Sequence, residues 1–225
     1  MNSMFFQRLS SLIGEDKVFL LSHKHVMIFG AGGVGGYAAE AIARSGVGKI
    51  TLIDFDVVSE SNINRQLCAL TSTFGKYKTD VLADRIRSIN PDAVVTSDKT
   101  RYTAESSEHF LSLNPDYIVD AIDSITDKIH LICEAKMRRI PIISCMGAGN
   151  KLGTDFECTD IYKTSVCPLA KVMRYELKRR GVDSLRVVYS KESPQKRLRT
   201  PGSAAWTVGS AGLKIAGEVI CDLIK

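Results

Sequence analysis

The 225-residue sequence predicts an α/β protein with an open sheet and helices on both faces of that sheet. Three observations support this fold class. Short, continuous apolar runs at residues 26–29, 50–53 and 117–123 are typical of buried parallel strands, which lack polar alternation. Helical patterns separate these runs, and the second and third runs each lead to an aspartate. Residues of different runs are therefore expected to meet at one edge of a sheet.

A glycine-rich turn follows the first apolar run and carries Gly30, Gly32, Gly33 and Gly35. Glycines at this spacing allow a tight turn and let the backbone approach a phosphate. A helix predicted over residues 37–43 would direct its amide groups toward that phosphate. Asp54 lies 19 residues after Gly35, the spacing of a carboxylate that holds a ribose hydroxyl. The pattern predicts a Rossmann-type nucleotide site; the alternative is a turn that serves only helix–strand packing.

The polar loop after Asp54 favours ATP chemistry over hydride transfer, because an NAD enzyme needs only the acid that ends the second strand. The polar residues of this loop are Asp56, Asn62, Asn64, Arg65 and Gln66. Lys76 and Lys78 then lie at the start of a helix predicted over residues 75–89, where the helix dipole disfavours cations unless an anion binds. A polyphosphate would be such an anion. Two solvated lysines are the alternative, which Arg65 on the same side of the sheet makes less attractive.

Asp123 ends the third apolar run, so it should lie beside Asp54 beyond the carboxyl ends of the strands. A carboxylate beside bound phosphates is a natural partner for Mg²⁺. Asp120 belongs to the same run, and two interpretations of it stay open: a structural group, or a group that supports the site from behind.

The remaining pattern completes one domain over residues 1–225. Strands are predicted over residues 93–96 and 140–144, and helices over residues 104–113, 125–138 and 168–180. Residues 190–203 look mobile, and residues 204–224 form an apolar closing helix whose glycines would allow close packing. Residues 1–12 predict a short amphipathic helix that docks on the core or on a partner subunit, with one face made of Phe5, Phe6, Leu9 and Leu12.

Composition excludes several classes of protein. No apolar run approaches the ~20 residues that span a bilayer, and the N-terminus lacks the pattern of a secretory signal. The six cysteines are therefore expected as reduced thiols in a cytoplasmic protein. No two of them have CxxC spacing, so no zinc site of the two-CxxC kind is expected.

The positive charge is concentrated in a basic segment, residues 163–200. It holds 11 of the 30 basic residues but only three acids, a formal charge of +8, although the whole chain carries +5. A basic segment of this kind is typical of proteins that bind a phosphate-rich partner. The alternative is a helix face whose charges are only solvated. The candidates for contacts with RNA are Lys171, Arg174, Lys178, Arg179 and Arg180. Trp206 and Tyr189 could stack on a base, but they could equally pack in the core.

The chain resembles the E1-like adenylating superfamily, which includes the ubiquitin-activating enzymes and the activators of molybdopterin and thiamine biosynthesis. The matching pieces are GAGGVG, the loop DFDVVSESNINRQ, Lys78, and DAID ending in Asp123. The resemblance implies that Asp54 binds the ribose and that Lys78 spans the phosphates near the α position. It further implies that Asn62 and Arg65 contact the β- and γ-phosphates, and that Asp123 holds Mg²⁺. Arg8 resembles an arginine that a partner subunit lends to the γ-phosphate.

Within this superfamily the chain looks most similar to the tRNA threonylcarbamoyladenosine dehydratases. The matches that narrow the resemblance are Lys163-Thr164-Ser165, Pro168 to Arg174, Val187 to Ser190 with Glu192 and Pro194, and the glycine-containing closing helix. One departure is Cys167, where the family usually has aspartate. Cys167 can be a packed, inert thiol or a thioester-forming nucleophile, and packing is the favoured interpretation.

The resemblance implies an enzyme that uses ATP and Mg²⁺ to adenylate the carboxylate of N6-threonylcarbamoyladenosine in tRNA and then closes a ring, yielding the cyclic nucleoside ct6A, AMP and pyrophosphate. Arg65, Lys78 and Asp123 are the catalytic candidates. A homodimer and sulfur-transfer partners are further expectations. The alternatives are an activator of a ubiquitin-like sulfur-carrier protein, a non-catalytic nucleotide- or tRNA-binding module and, more distantly, an NAD enzyme.

Overall fold

The computed structural model describes residues 3–195 and 201–225 and has at its centre a seven-stranded sheet. The strand order is β3-β2-β1-β4-β5-β7-β6, and all neighbouring pairs are parallel except β6 with β7. The strands are His25–Phe29 (β1), Lys49–Ile53 (β2), Val94–Asp98 (β3), Tyr117–Asp120 (β4), Ile142–Cys145 (β5), Glu157–Asp160 (β6) and Arg186–Tyr189 (β7).

Helices cover both faces of this sheet, which confirms the predicted fold class. The α-helices are Gln7–Ile13 (α1), Glu15–Leu21 (α2), Gly33–Arg44 (α3), Lys78–Ile89 (α4), Ser107–Leu111 (α5), Ile125–Met137 (α6), Pro168–Arg179 (α7) and Ala205–Leu223 (α8). Short 3₁₀ turns occur at Ser3–Phe6, Glu60–Asn62 and Ile161–Lys163. One apolar core lies between the sheet and α3, α4 and α8, and a second lies between the sheet and α5, α6 and α7.

β1 is an interior strand between β2 and β4, and every residue of it is buried. The chain order reverses beside it, because β2 and β3 follow on one side whereas β4 and β5 follow on the other. In open α/β sheets this reversal leaves a crevice beyond the carboxyl ends of the strands. The predicted glycine turn comes directly after β1 and therefore opens into that crevice.

Helix α8 packs closely along α3, and the two run in the same direction. A Cβ atom on Gly212 would lie 2.5 Å from the Val34 carbonyl oxygen, and one on Gly209 would lie 3.3 Å from the Tyr37 ring. Glycines are therefore needed for the backbones to approach, as the sequence predicts for the closing helix. This contact brings residues near the C-terminus to the start of α3.

Several element boundaries differ from the predicted ones. The third predicted strand stops at Asp120, because the Asp120 carboxylate accepts a hydrogen bond from the Ile122 amide (3.1 Å) and turns the chain. Asp123 therefore lies in the loop beyond β4. Helix α3 begins at Gly33, inside the glycine turn, and α4 begins at Lys78. The short strand β6 was not predicted, because its residues are only half-buried and show no apolar alternation.

The N-terminal segment is a 3₁₀ turn followed by α1, and its predicted apolar face is only partly docked. Phe6 is buried, whereas Phe5 is 56% and Leu12 is 79% exposed. Residues 1 and 2 lie outside the described residues, as do residues 196–200 of the segment expected to be mobile. Gln195, the last described residue before residue 196, is held to another loop, since its amide donates to the Asn150 carbonyl (2.8 Å). None of the helices in the described ranges combines the length and apolar character needed to cross a bilayer.

Candidate nucleotide-binding site

A cavity of about 410 Å³ opens at the carboxyl ends of β1, β2 and β4, where the strand order reverses. Its size is in the range of small-ligand sites. Nine residues predicted to bind ATP line it: Gly30, Gly32, Gly33, Asp54, Asp56, Arg65, Gln66, Lys78 and Asp123. Four other predicted residues do not line it: Gly35, Asn62, Asn64 and Arg8. The structure thus brings most of the predicted site together at one edge of the sheet.

The glycine turn forms the wall of the cavity beside the start of α3. Gly30 has a φ of +94°, and a Cβ atom there would lie 2.5 Å from the Ala121 carbonyl oxygen. Gly35 does not line the cavity, but the turn requires a glycine at this position. A Cβ atom on residue 35 would lie 1.8 Å from the Gly30 carbonyl oxygen. The first turn of α3 points its free amide groups into the space that this tight turn leaves open, which is the arrangement that binds phosphate.

The Asp54 carboxylate is fixed by two backbone amides. Its Oδ2 accepts from the Ala31 amide (2.7 Å), within the glycine turn, and its Oδ1 accepts from the Asp56 amide (2.9 Å). Each oxygen keeps a lone pair for a further donor, and the side chain lines the cavity. Asp54 is therefore a preorganised acceptor for a hydroxyl group, as its spacing from the glycines predicts.

Lys78 is the first residue of α4 and is 6% exposed. Its ammonium lies 2.6 Å from the Asp56 carboxylate, and its backbone amide donates to the Asp56 carbonyl (3.0 Å). A cation at the start of a helix is disfavoured by the helix dipole. The Asp56 carboxylate neutralises the Lys78 ammonium here, whereas a phosphate was expected to do so. Lys76 lies before the helix and is exposed. Asp56 holds Lys78 at the cavity wall, where its ammonium can also bind an anion.

Arg65 is directed by the loop that precedes it. Its Nη1 donates to the Ser61 carbonyl (2.6 Å) and to Asn64 Oδ1 (2.9 Å), and Asn64 Nδ2 donates to the Ser203 carbonyl (2.8 Å). The predicted direct role of Asn64 in ATP binding is corrected accordingly: its amide is used to position Arg65 and to join this loop to the segment before α8.

The predicted phosphate contact of Asn62 stays a prediction. Asn62 is 7% exposed, and its Oδ1 accepts from the Ser59 amide (3.0 Å) across a short 3₁₀ turn. The side chain caps that turn and does not line the cavity. Because a polar residue in a loop can face either the ligand or its own backbone, the sequence does not distinguish these two roles.

Asp123 is exposed in the loop after β4 and lines the cavity. Helix α6 begins two residues later, and Asp127 in its first turn lines the cavity as well. Asp127 is bound by Arg101 (3.0 Å), and the Arg101 guanidinium lies 5.4 Å from the centre of the Phe55 ring. Asp123 is therefore the cavity carboxylate that keeps its oxygens available, because Asp54, Asp56 and Asp127 already accept bonds from the protein.

The floor of the cavity is apolar and is made by strand ends and by Tyr102. Phe29 and Tyr102 pack edge to face with their ring centres 5.1 Å apart, and Ile53 and Ile122 complete this surface. Burial raises the pKa of Tyr102 to about 12, so its hydroxyl stays protonated and bonded to His130 (2.9 Å). A flat, uncharged group such as a purine base would fit this floor. Tyr102 is not recognisable from the sequence, because it lies in a loop without a motif.

A buried ion pair behind the site was also missed. Lys128 and Asp120 are 1% and 0% exposed, and their charged atoms lie 2.8 Å apart. Ser144 donates to the same Asp120 oxygen (2.6 Å), and Lys128 also donates to the Cys145 carbonyl (3.1 Å). Asp120 also accepts from the amide of Ile122, which lines the cavity, so its contacts fit both a structural group and a group that supports the site from behind. Lys128 could have been found from the sequence, because it shares the apolar stripe of α6 with Ile132 and Ala135 and so requires a buried acid.

Arg8 lies on α1, is exposed, and does not line the cavity of its own chain. Its expected contact with the γ-phosphate therefore needs a second subunit and stays a prediction. Cys167 is 2% exposed, has its Sγ 3.3 Å from the place of a Cβ on Gly147, and does not line the cavity. That burial fits the packed thiol.

The predicted RNA-binding residues of α7 divide into two groups. Lys171 and Lys178 are exposed and bind no acid in the described part of the chain. Arg179 is also exposed; it lies over the Tyr175 ring at 5.4 Å and within 3.8 Å of the Glu176 carboxylate. Arg174, in contrast, is half-buried and donates to the Thr164 carbonyl (3.0 Å), so it holds α7 to the preceding segment.

Arg180 also differs from the predicted free cation, since it pairs with Glu176 on its own helix (2.5 Å). Three further basic residues of the segment, Lys196, Arg197 and Arg199, lie outside the described residues. Among the described candidates, only Lys171 and Lys178 are thus both exposed and without an acidic partner, fewer than the sequence suggests.

Comparison with known proteins agrees with this site. A model of the ThiF family matches residues 6–220. The tRNA threonylcarbamoyladenosine dehydratase of Bacillus subtilis (strain 168) is 42% identical over 98% of this chain and 94% of its own length. The molybdopterin-synthase adenylyltransferase of Escherichia coli is 32% identical over only 55% of this chain and 49% of its own length.

Solved structures give the same result. The crystal structure of E. coli tRNA N6-threonylcarbamoyladenosine dehydratase in complex with AMP has a TM-score of 0.94 and 33% identity, covering 99% of this chain and 94% of that one. The structure of the same enzyme in complex with ATP has a TM-score of 0.93, 34% identity and the same coverage. The family match extends across the glycine turn, the polar loop and the strand-end carboxylates that line the cavity, so this chain belongs to the ThiF family.

Proposed function

We propose that this protein is an ATP-dependent tRNA threonylcarbamoyladenosine dehydratase. The observation that carries the proposal is the convergence of Asp54, Arg65, Lys78 and Asp123 on one cavity, in a chain whose similarity to dehydratases extends over nearly its full length. The similarity to molybdopterin-synthase adenylyltransferases covers about half of the chain, which favours the dehydratase over an activator of a sulfur-carrier protein.

ATP would lie across the carboxyl ends of the strands. Its phosphates would face the glycine turn and the start of α3, and its ribose hydroxyls would donate to Asp54. The base would lie on the apolar floor formed by Phe29 and Tyr102. Arg65 and Lys78 would then flank the phosphates, because both line the same cavity as the glycines.

The reaction would take place in two steps. A carboxylate oxygen of the threonylcarbamoyl group attacks the α-phosphorus of ATP, and the bond to pyrophosphate breaks. A nucleophile within the same modified nucleoside then attacks the activated carbonyl, which closes the ring and releases AMP. The oxygen lost from the substrate leaves on AMP, so the nucleoside loses one water overall. The protein contributes position and charge, since Arg65 and Lys78 offset the negative charge that grows on the phosphates.

Mg²⁺ fits the site as a partner of ATP. Within residues 3–195 and 201–225, no three His, Cys, Asp or Glu side chains form a cluster that could hold a metal. Mg²⁺ usually keeps several waters and takes one or two carboxylates together with substrate phosphates, which is the demand that Asp123 can meet. When bound, the ion would neutralise phosphate charge.

The tRNA and a second subunit are the proposed partners. Lys171, Lys178 and Arg179 would contact RNA phosphates, because they are the exposed cations of α7. Phe5, Leu12 and Phe19 leave apolar surface exposed on the N-terminal helices, which a second copy would cover. A dimer of this kind is also what Arg8 needs to reach ATP. Sulfur-transfer partners stay a prediction.

The test is to incubate the protein with ATP, Mg²⁺ and tRNA that carries threonylcarbamoyladenosine, and to analyse the digested nucleosides by mass spectrometry. We expect the loss of one water, dependent on ATP and matched by AMP release. No mass change, combined with ATP–pyrophosphate exchange only when a ubiquitin-like protein tail is supplied, would move the assignment to the sulfur-carrier activators.

Variants then separate an enzyme from a binding module. Arg65→Ala and Lys78→Met should each lower turnover by about 100-fold or more, the typical cost of one transition-state charge contact, while tRNA binding largely survives. Arg87→Ala is the matched control, because Arg87 is an exposed α4 residue paired with Asp84 and does not line the cavity. Equal function in all three variants would indicate a protein that binds nucleotide without this chemistry.

A further inference from the structure

Trp206 is the only tryptophan of the chain, and 57% of it is exposed. An aromatic side chain buries about 150–250 Å² when it packs in a core. An exposed Trp206 ring therefore contributes much less hydrophobic free energy to folding than a buried one would. Tyr189, the other aromatic side chain named as a stacking candidate, is fully buried in the core. The structure therefore distinguishes the two candidates and leaves Trp206 as the available aromatic surface.

The Trp206 ring is held in place although it is exposed. Its indole Nε1 donates to the Leu152 carbonyl (2.9 Å). The loop that carries Leu152 is itself fixed, because the Glu192 carboxylate accepts from the amides of Leu152 (2.9 Å) and Gly153 (2.8 Å). A rigid aromatic surface loses little conformational entropy when a flat ligand stacks on it.

Trp206 belongs to the first turn of α8, and Val208 in that turn lines the nucleotide cavity opposite Gly33. Trp206 itself does not line the cavity, because residues two positions apart on a helix face different sides, and its ring is bound to Leu152 instead. Just before the helix, the Ser203 carbonyl is bound by Asn64, the residue that positions Arg65. The start of α8 is thus joined through short contacts to a group that would bind the phosphates.

Another aromatic residue is less available. Phe55 lines the cavity, but the Arg101 guanidinium lies over its ring at 5.4 Å, and Arg101 is held there by Asp127. A base could reach the Phe55 face only by displacing that ion pair. The Trp206 ring has no such cover among the described residues.

We propose that Trp206 is the stacking site for the purine base of the modified nucleoside. This inference rests on the proposed function. The substrate carboxylate must enter the cavity to reach the α-phosphate, whereas the base stays attached to the RNA backbone several bonds away. A base held outside the cavity, beside the start of α8, meets both demands, and an indole ring is a good surface for it, because every base has a π-face.

The single tryptophan is also the reporter that tests the proposal. An anticodon stem-loop RNA that carries threonylcarbamoyladenosine should quench the Trp206 fluorescence, whereas AMP alone should not. Trp206→Ala should raise the KM for this RNA by about 5- to 150-fold, the range for loss of one base stack, and should leave the KM for ATP unchanged. Trp206→Phe keeps an aromatic face and should recover most of the loss.

Leu213→Ala is the control, since Leu213 lies on the same helix and is equally exposed at 56%. An unchanged KM for RNA in Trp206→Ala would overturn the inference, as would equal quenching by AMP alone. If the Trp206 fluorescence does not depend on RNA but changes with protein concentration alone, while Trp206→Ala shifts the oligomeric state, the inference is overturned and a second copy covers the ring. If the wild-type protein leaves the RNA mass unchanged with ATP, the proposed function itself fails, and this readout is independent of Trp206.

Discussion

Replacing Lys128 by methionine should lower the free energy of unfolding by about 3–5 kcal/mol, the usual cost of leaving one member of a buried ion pair alone. Lys128 and Asp120 are almost fully buried, with their charged atoms 2.8 Å apart. The ammonium also serves Ser144 (3.3 Å) and the Cys145 carbonyl (3.1 Å), so the substitution leaves three acceptors without this donor. Methionine has a similar length, so the loss is mainly electrostatic rather than the cost of a cavity.

This loss is large compared with the total stability of a domain, about 5–15 kcal/mol. For a chain of this size each kcal/mol lowers the Tm by about 2–4 °C, so the Tm should fall by about 6–20 °C. The assay is urea unfolding followed by far-UV circular dichroism. Arg87→Gln is the control: its ion pair with Asp84 is exposed, and its loss should cost less than about 1 kcal/mol.

A double variant tests whether an unpaired charge is the cause. Asp120→Asn combined with Lys128→Met removes both charges but keeps an oxygen for the Ile122 amide, which now binds Asp120 at 3.1 Å. The double variant should be more stable than Lys128→Met alone. The reasoning is refuted if the single variant loses less than about 1 kcal/mol, or if the double variant is no better than the single one.

Three further predictions follow from the described contacts. Gly35→Ala should abolish ATP binding, because its Cβ would lie 1.8 Å from the Gly30 carbonyl oxygen. The adjacent Gly36→Ala would meet nothing closer than Leu82 at 3.7 Å and should bind ATP normally in calorimetric titration; equal affinities of the two variants would contradict this. Cys167→Ser should keep turnover within a few-fold, because the thiol is buried away from the cavity; a collapse of the steady-state rate would restore the nucleophile hypothesis. Burial, assisted by Lys49 and opposed by Asp116, lowers the pKa of His25 from 6.5 to about 4. The unfolded chain then takes up a proton that the folded protein does not, so stability is complete above pH 6.5 and is lost as the pH falls toward 4. Urea midpoints between pH 4.5 and 7.5 should show a flatter dependence for His25→Gln than for the wild type, and identical slopes would reject the assignment.

The sequence predicts the part of the site that depends on short-range pattern. The glycine turn and Asp54 are recognisable because strand, turn, helix and acid follow one another at fixed spacing. Lys78 is recognisable because it lies at the start of a predicted helix, and Asp123 because it follows a predicted strand. Gly30, Gly32 and Gly33 of the turn line the cavity, as do Asp54, Lys78 and Asp123. Local order along the chain is sufficient for them, because a parallel sheet brings its strand ends to one edge.

Long-range contacts account for the parts that could not be predicted. Asn62 was expected at a phosphate, but the choice between capping its own turn and facing a ligand depends on how the loop folds back. Val208 lines the cavity only because α8 packs on α3, a contact between residues far apart in the sequence. Arg174 is half-buried because Thr164 lies beside it, which no charge count can show.

The packing of α8 along α3 has a consequence for the order in which the protein becomes competent during synthesis. All residues that line the nucleotide cavity except Val208 have been synthesised once the chain reaches residue 127. Val208 completes one wall of the cavity only later, when α8 packs on α3. The far end of α8 is fastened through Asp222, which accepts from the Tyr117 hydroxyl (2.8 Å) and pairs with Arg186. A ribosome-bound chain that lacks α8 therefore leaves the start of α3 uncovered beside an unfinished cavity. We expect the affinity for nucleotide to rise once α8 has docked on α3.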